Sequence, residues 1–368
     1  MAGVYVHIPF CKSRCKYCDF FSTTMLEKRD EYVQAVVTEM QQRRDYLRGG
    51  AVHTIYFGGG TPSMLTVGQV GTILEGIRAN FAVDRDAEIT LEANPSDVTE
   101  EKLRGWRELG VNRLSMGVQS FNDELLRKIG RRHDARQAVN AVREALQAGF
   151  DNISIDLIYG LPSQTMEDWK RDVSQALELN IQHVSAYCLS YEEGTEMTRQ
   201  LQAKEIEAVD DETENAMYDY LVEALAAHGI ERYEVSNFAK RGYESQHNSS
   251  YWNGTPYLGL GAGAHSYDGE SRQWNAKTLS YSPCLGGELG PEFEKLTDVE
   301  RYNEYVMLSL RTREGLDMTK VPRSMHEVCE GVIKRCTENG LLRRDGDRVV
   351  ATNEGIHILN RIIEDLMI

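Results

Sequence analysis

The chain has 368 residues, 41% hydrophobic and 27% charged, which suits one large folded domain with a smaller one and argues against a disordered chain. A formal net charge of −16 argues against a nonspecific nucleic-acid binder, which presents a basic face to phosphates, while leaving room for a local basic pocket. The start, MAGVYVHIPFCKS, lacks the basic residues, long apolar run and cleavage site of a secretory signal, and no later stretch has membrane-spanning length. A cytoplasmic location without a transmembrane segment is therefore expected. There the seven cysteines are mostly reduced, and three of them within eight residues point to metal ligation or catalysis before disulfides.

In chain order, apolar β-branched runs predict strands at 4–8, 53–57, 88–92, 113–118, 152–157 and 183–189. Helical spacing fills stretches between them, among others 26–46, 67–79, 135–148 and 166–179. Strands joined by helical crossovers pair in parallel, so the expected fold is α/β, a partial (β/α)6 TIM-like barrel with its helices outside. Chemistry in such folds gathers at the carboxyl ends of the strands. Polar or glycine residues stand there each time: Cys11, residues 58–62, Glu92, Gln119, Asp156, then Ser190 and Glu192. A polar turn after any one strand is ordinary, and the coincidence across all of them is the signal.

A further helix is expected at 205–228, and residues 238–290, rich in Gly, Ser, Asn and Tyr, read as a connecting segment of loops and short strands. Beyond Pro291, helices are expected at 298–312 and 323–339, then a strand-turn-strand at 342–351 and a last helix from Asn353. That order resembles a winged-helix module, and the acidity favours packing or partner docking over DNA binding. The expected division is a core domain at 1–236, a connecting segment at 237–290 and a smaller, mostly helical, winged-helix-like C-terminal domain at 291–368.

Cys11, Cys15 and Cys18 lie in CKSRCKYC with spacing C-x3-C-x2-C, on the loop leaving the first strand. Thiolates this close in sequence can converge on one metal centre. Structural zinc closes with four ligands, and a 4Fe-4S cluster usually takes four cysteines. Here Asp19 and Phe20 follow directly and Cys188 is far along the chain. Three cysteines leave one iron open to an outside ligand, a reactive arrangement; zinc and unligated thiols are the competing readings.

The motif, with Tyr17 before its last cysteine, resembles the radical S-adenosylmethionine (radical SAM) signature. That resemblance implies a 4Fe-4S cluster whose open iron is chelated by the amino and carboxylate groups of S-adenosylmethionine, and whose electron cleaves the sulfonium to methionine and a 5′-deoxyadenosyl radical. Other residues suit the same ligand. The run GGGTP at 58–62 lets backbone approach it, Glu92 can accept from a ribose or an ammonium group, and Gln119 can donate and accept. Arg131 offers a fork for a carboxylate, and Asp156 is expected to face the same cavity. Each alone reads equally as a capping or surface group.

The whole chain is similar to the oxygen-independent coproporphyrinogen III oxidase group and its HemW heme-chaperone relatives, through YVHIPFC at 5–11, the 58–62 run, RLSMGVQSF at 113–121 and DLIYGLP at 156–162. By matching motifs, the resemblance gives cofactor-binding roles to Tyr5, Tyr17, Gly59, Gly60, Thr61, Glu92, Gln119, Arg131 and Asp156, and Ser190 aligns as well. Two departures separate the branches. The oxidases carry a further cysteine two positions after the motif and a long N-terminal extension; this chain has Phe20 there and four residues before Tyr5. Both features resemble the heme-chaperone branch, whose H-N-x-x-Y-W motif is matched by HNSSYW at 247–252.

A histidine can ligate heme iron, with Tyr251 and Trp252 packed on the macrocycle, so His247 is a heme-ligand candidate that reads equally as a structural histidine. His265 is the reserve. Cys188, Cys284, Cys329 and Cys336 read as ordinary thiols. The function the resemblance implies is a heme chaperone that binds heme, a 4Fe-4S cluster and S-adenosylmethionine and passes heme to an acceptor hemoprotein, respiratory and membrane-associated or otherwise. The alternative is an oxygen-independent coproporphyrinogen III dehydrogenase, in which the radical takes hydrogen from propionate side chains and carbon dioxide is lost. Whether the chain is an enzyme stays open at this point.

Overall fold

The structure, a computed structural model, describes residues 1–280 and 291–368; Cys284, read above as an ordinary thiol, lies outside the described residues. Strands and helices alternate as β1 (Ala2–Ile8), α1 (Arg29–Gln42), β2 (Val52–Gly59), α2 (Val67–Asn80), β3 (Val83–Ala93), α3 (Glu100–Glu108), β4 (Arg113–Gln119), α4 (Asp123–Lys128), α5 (Ala135–Gln147), β5 (Ile153–Tyr159), α6 (Met166–Glu178) and β6 (His183–Cys188). Each of these strands pairs with the next in parallel. Helix starts are set by side-chain caps: Thr66, Asp134 and Thr165 each close a capping box at the head of α2, α5 and α6.

The helix expected at 205–228 is shorter, since α7 (Glu196–Gln202) precedes it and α8 (Asp211–Ala226) begins only where Asp210 accepts from the Thr213 N–H. The residues read as a connector, 237–290, contribute strands to the same sheet, and residues 231–232 before them and 292–295 after them join it too. β7 (Glu231–Arg232) and β8 (Asn237–Ala239) add antiparallel strands beside β6, and after α9 (Gln246–Trp252), β9 (Tyr257–Leu260) returns parallel to β1. β10 (His265–Tyr267), β11 (Ser271–Trp274) and β12 (Glu292–Lys295) continue outward, giving the order β12-β11-β10-β9-β1-β2-β3-β4-β5-β6-β8-β7. The two edges do not pair among the described residues, so the barrel is partial, as expected.

Alternation along the strands sorts their faces. On β1, Val4, Val6 and Ile8 are wholly buried in the apolar layer against the helices. The intervening residues, Tyr5 and His7, share the inner face with Thr54 and Tyr56, Glu88 and Glu92, Arg113 and Ser115, Ser154 and Asp156, and His183 and Ser185. The sheet interior is therefore polar, which positions the site.

The chain ends in α10 (Asp298–Ser309), β13 (Leu316–Asp317), α11 (His326–Glu338), β14 (Leu342–Asp345), β15 (Arg348–Ala351), α12 (Asn353–His357) and α13 (Leu359–Leu366). The strands form a small antiparallel sheet in the order β13-β15-β14, and with the helices they enclose a second core including Val306, Ile333, Val349 and Ile362. Cys329 and Cys336 are buried there, as ordinary thiols are. A bidentate pair, Arg272 Nε and Nη2 to the Glu304 carboxylate at 2.6 and 2.9 Å, fastens α10 to the edge strand β11. No helix among the described residues is long and apolar enough to cross a membrane.

Candidate functional site

At the carboxyl end of the parallel strands lies a cavity of about 490 Å³, within the size range of small-molecule sites. It is lined by Cys11, Cys15, Tyr17, Cys18, Gly59, Gly60, Thr61, Glu92, Gln119, Arg131, Asp156 and Ser190. Of the residues expected at the site, only Tyr5 and His247 do not line it.

The cysteine loop is held at several points. The Cys11 N–H donates to the Thr23 carbonyl (2.9 Å) and the Thr23 N–H to that of Pro9 (2.7 Å), tying the loop back onto its own stem. Further along, the Lys16 N–H donates to Ile129 O (3.1 Å) and Lys16 O accepts from the Met197 N–H (2.9 Å). Cys11 Sγ meets Thr61 Oγ1 at 3.4 Å, and Arg131 Nη1 donates to Cys15 Sγ at 3.5 Å. Burial raises the Cys11 thiol and takes Cys18 up to about 11, and in both the charge of neighbouring cysteines adds to the rise. The three thiols thus share one environment, with the Arg131 guanidinium against Cys15 and the Arg132 charge opposing the rise at Cys11.

These residues fit an iron–sulfur cluster with S-adenosylmethionine. Soft thiolates are the donors such clusters take. Among the described residues no three His, Cys, Asp or Glu side chains surround one ion position; cluster thiolates each bind a separate iron and stand farther apart than the ligands of a single ion. Arg131, which also donates to Gly117 O, leaves its buried Nε without a partner, a donor free for an incoming carboxylate. Opposite charges are invited as well. Burial, then the nearby Asp156 carboxylate, pushes Glu92 up to about 8, although the Tyr56 hydroxyl donates to it at 2.8 Å. Burial likewise raises Asp156, against a Ser115 hydrogen bond of 3.1 Å. Two desolvated carboxyls side by side favour a cationic or hydrogen-bond-donating guest.

The backbone of the cavity has conformations that only certain residues allow. Gly59 has φ +107°, and a Cβ there would sit 2.5 Å from the His7 ring; at Gly60 a Cβ would sit 2.8 Å from the Pro9 backbone. Gln119, 8% exposed, has φ +69° where β4 bulges between Gly117 and Gln119, a conformation that costs a non-glycine residue about 1 kcal/mol or more. Asp172 supports this bulge, accepting from Ser120 Oγ and the Phe121 N–H at 2.7 Å each.

His247, expected as a heme-ligand candidate, lies apart from this cavity. It is 1% exposed, with Nδ1 2.8 Å from Thr54 Oγ1 and Nε2 2.9 Å from the Tyr251 hydroxyl. Its ring stacks on Tyr56 at 5.1 Å and on Tyr5 at 6.4 Å. Glu88 accepts from the Gln246 and His247 N–H groups at the start of α9, drawing that helix across the lower end of the barrel. With both ring nitrogens engaged and burial, then the Arg113 charge, lowering its pKa to about 3, His247 is packed into the floor of the barrel. Trp252 of the same motif turns into a different cavity, of about 680 Å³, beside α10. Tyr5 belongs to the same floor, its hydroxyl 3.2 Å from His7 Nδ1.

Sequence reasoning missed several groups. Cys188, read as an ordinary thiol, lines the cysteine cavity, where burial and then Glu214 take it up to about 12. Arg132 and Tyr187 line it as well, Arg132 paired to Asp97 through two bonds of 3.1 and 2.8 Å. The adjacent basic pair at 131 and 132 was the available signal for Arg132. Tyr187 could have been found from its inward register on β6.

An open parallel sheet whose carboxyl end carries a three-cysteine loop, a glycine cradle and a buried guanidinium with an unpartnered Nε is the fold of a radical SAM protein. Residues 5–176 match the radical SAM superfamily, and residues 296–358 match the HemN C-terminal domain. The chain belongs to the HemW family. It is 36% identical to the heme chaperone HemW of Mycobacterium tuberculosis, over 99% of this chain and 94% of the relative. The corresponding values are 36%, 98% and 98% for HemW of Bacillus subtilis, and 34%, 98% and 97% for that of Escherichia coli. Among solved structures, coproporphyrinogen III oxidase (HemN) from Escherichia coli, described as a radical SAM enzyme, superposes with a TM-score of 0.84 at 26% identity, covering 99% of this chain and 89% of that one.

Proposed function

We propose that the protein is a heme chaperone that binds a 4Fe-4S cluster through Cys11, Cys15 and Cys18, holds S-adenosylmethionine beside it, and carries heme to an acceptor hemoprotein in the cytoplasm or at a membrane surface. The observation that carries this reading is a cavity lined by the three cysteines, the glycine run and Arg131, with Phe20 after the cysteine motif, in a chain similar along its length to heme chaperones. Arg131 suits the carboxylate of the methionine moiety, Glu92 and Asp156 its ammonium and the ribose, and the backbone at Gly59, Gly60 and Thr61 its close approach. Gln119, Tyr17 and Ser190 complete the wall. When bound, the cluster supplies single electrons, and the chain's part is to orient its guest and limit water around it. The net charge of −16 disfavours nucleic acid.

A second reading, a coproporphyrinogen III dehydrogenase, draws on the superposition with HemN. One anaerobic experiment on reconstituted protein separates them. Incubation with coproporphyrinogen III, S-adenosylmethionine and a reductant is expected to give no decarboxylated product, while a heme titration followed at the Soret band is expected to saturate. Turnover with a failed titration would replace the first reading by the second.

A further inference from the structure

Heme chaperoning needs a protein site for heme, and His247, buried with both nitrogens engaged, does not offer one. The chain has nine histidines, all described. Eight have hydrogen-bond or ion-pair partners. His7 bonds Phe21 O, His133 bonds Val118 O, His228 bonds Ala224 O and His326 bonds Val321 O. His53 and His357 pair with Asp84 and Asp219, and His183 lies between Ser154 and Tyr233. The eighth is His247. His265 alone has no such partner among the described residues, and it is exposed.

We propose that His265 is the protein ligand to heme iron, on the inner face of the edge strands β10 and β11. This rests on the heme-chaperone reading and adds the residue and the place. His265 lies directly across from Trp274 in the antiparallel register, and the rings stack with centroids 6.1 Å apart and planes at 27°. The indole orients the imidazole and leaves its edge free. The backbone beneath is fixed by close packing: a Cβ on Gly259 of β9 would lie 2.0 Å from the His265 carbonyl oxygen, so only glycine lets the two strands approach this closely. Arg272 is committed to Glu304, whereas Lys277 is exposed and has no ion pair among the described residues, a cation available to a heme propionate.

The position also adjoins the cysteine loop. A Cβ on Gly263, two residues before His265, would lie 3.3 Å from Lys277 Cγ and 3.7 Å from Phe21 Cβ, and Phe20 of the same loop is 62% exposed. Apolar surface of this kind on the rim suits a macrocycle. A single exposed ligand also suits delivery, because the opposite face of the iron stays open to an acceptor's own ligand.

The test is a ferric heme titration of the full chain with its cluster reconstituted, read by the Soret band and electron paramagnetic resonance, with iron content measured alongside. For His265→Ala we expect loss of the imidazole-ligated spectrum, its recovery on adding free imidazole, and heme affinity weaker by about tenfold or more. Cluster iron should be unchanged. His265→Met, which exchanges one axial ligand for another, should keep heme and raise its reduction potential. If wild-type protein binds heme and His265→Ala keeps the same spectrum and affinity, the ligand assignment is overturned while the chaperone reading stands. If wild-type protein shows no saturable heme complex, both fall.

Discussion

The two ends of the barrel are built from the same inward-facing strand positions yet treat their polar groups in opposite ways. At the lower end, His183 and His247 use both ring nitrogens on hydroxyls, and Glu88 spends its carboxylate on the start of α9. At the upper end Arg131 Nε has no partner, Glu92 and Asp156 are raised beside one another, and Gln119 is held in a left-handed backbone conformation. Arg113 and Thr90, opposite one another in the register, are exceptions: Thr90 Oγ1 has no partner, and Arg113, buried with Nε and Nη1 unpartnered, acts through its charge, which favours ionisation of both acids above. Satisfied groups hold a fold together, and unsatisfied groups kept in place by the fold mark where a guest belongs.

The largest effect that bears on this contrast is at the cysteines. Replacing Cys11, Cys15 and Cys18 together by Ala should abolish the brown absorbance and cluster iron of anaerobically reconstituted protein, with the circular dichroism of the fold retained. Iron content that stays at the wild-type level would remove the upper end's claim to a cluster.

The lower end should answer in stability instead. His247→Ala leaves Thr54 and Tyr251 without their partner and opens a hole under Tyr56, and about 3 kcal/mol of folding stability should be lost in a denaturant titration. The heme spectrum of the folded fraction should not change. If it does, the floor is also a ligand site and the contrast fails at its central residue. Gly60→Ala should cost about 2 kcal/mol, because the added methyl meets the Pro9 backbone, which cannot move without shifting β1.

Much of this was legible in the chain itself. The strands β1 to β6 could be placed because the outward residues of their central stretches are apolar, such as Ile55 and Phe57, Ile89 and Leu91, and Ile153 and Ile155, and the three cysteines were visible from spacing alone. The edge strands β9 to β12 were not separable from loops, since each has four residues or fewer and takes its place from pairing, β9 with β1 and the others each with the strand before it. The surroundings of His247 were hidden for a related reason: its partner Thr54 is 193 positions away, and a motif shows which residue stands there but not what its nitrogens meet. His265 differs from it only in what surrounds it.

A pH series sharpens the upper end. The folded pKa of Glu92, about 8, lies above the value an unfolded chain gives a glutamate, so between the two the folded state binds more protons. Stability of the cofactor-free protein should therefore fall as pH rises from the ordinary carboxylate range to about 8 and level off above it. Glu92→Gln should flatten that decline, measured as denaturation midpoints at about pH 6 and about pH 9, and should weaken S-adenosylmethionine binding in calorimetry. A variant with the wild-type slope would mean that other groups, such as Glu234, which burial takes up to about 7, set the pH response.

The smallest effect tests whether scaffold and site are separable at all. Thr165 closes the capping box of α6, and its loss to Ala should cost about 1 kcal/mol in a denaturant titration. The same helix carries Asp172, which holds the Gln119 bulge through Ser120 and Phe121 from the following turn. Because those bonds do not pass through the cap, S-adenosylmethionine affinity should stay within about twofold of wild type. A larger loss of affinity would mean that the strained glutamine is poised by the whole helix, and that the upper end draws on scaffold stability the lower end leaves untouched.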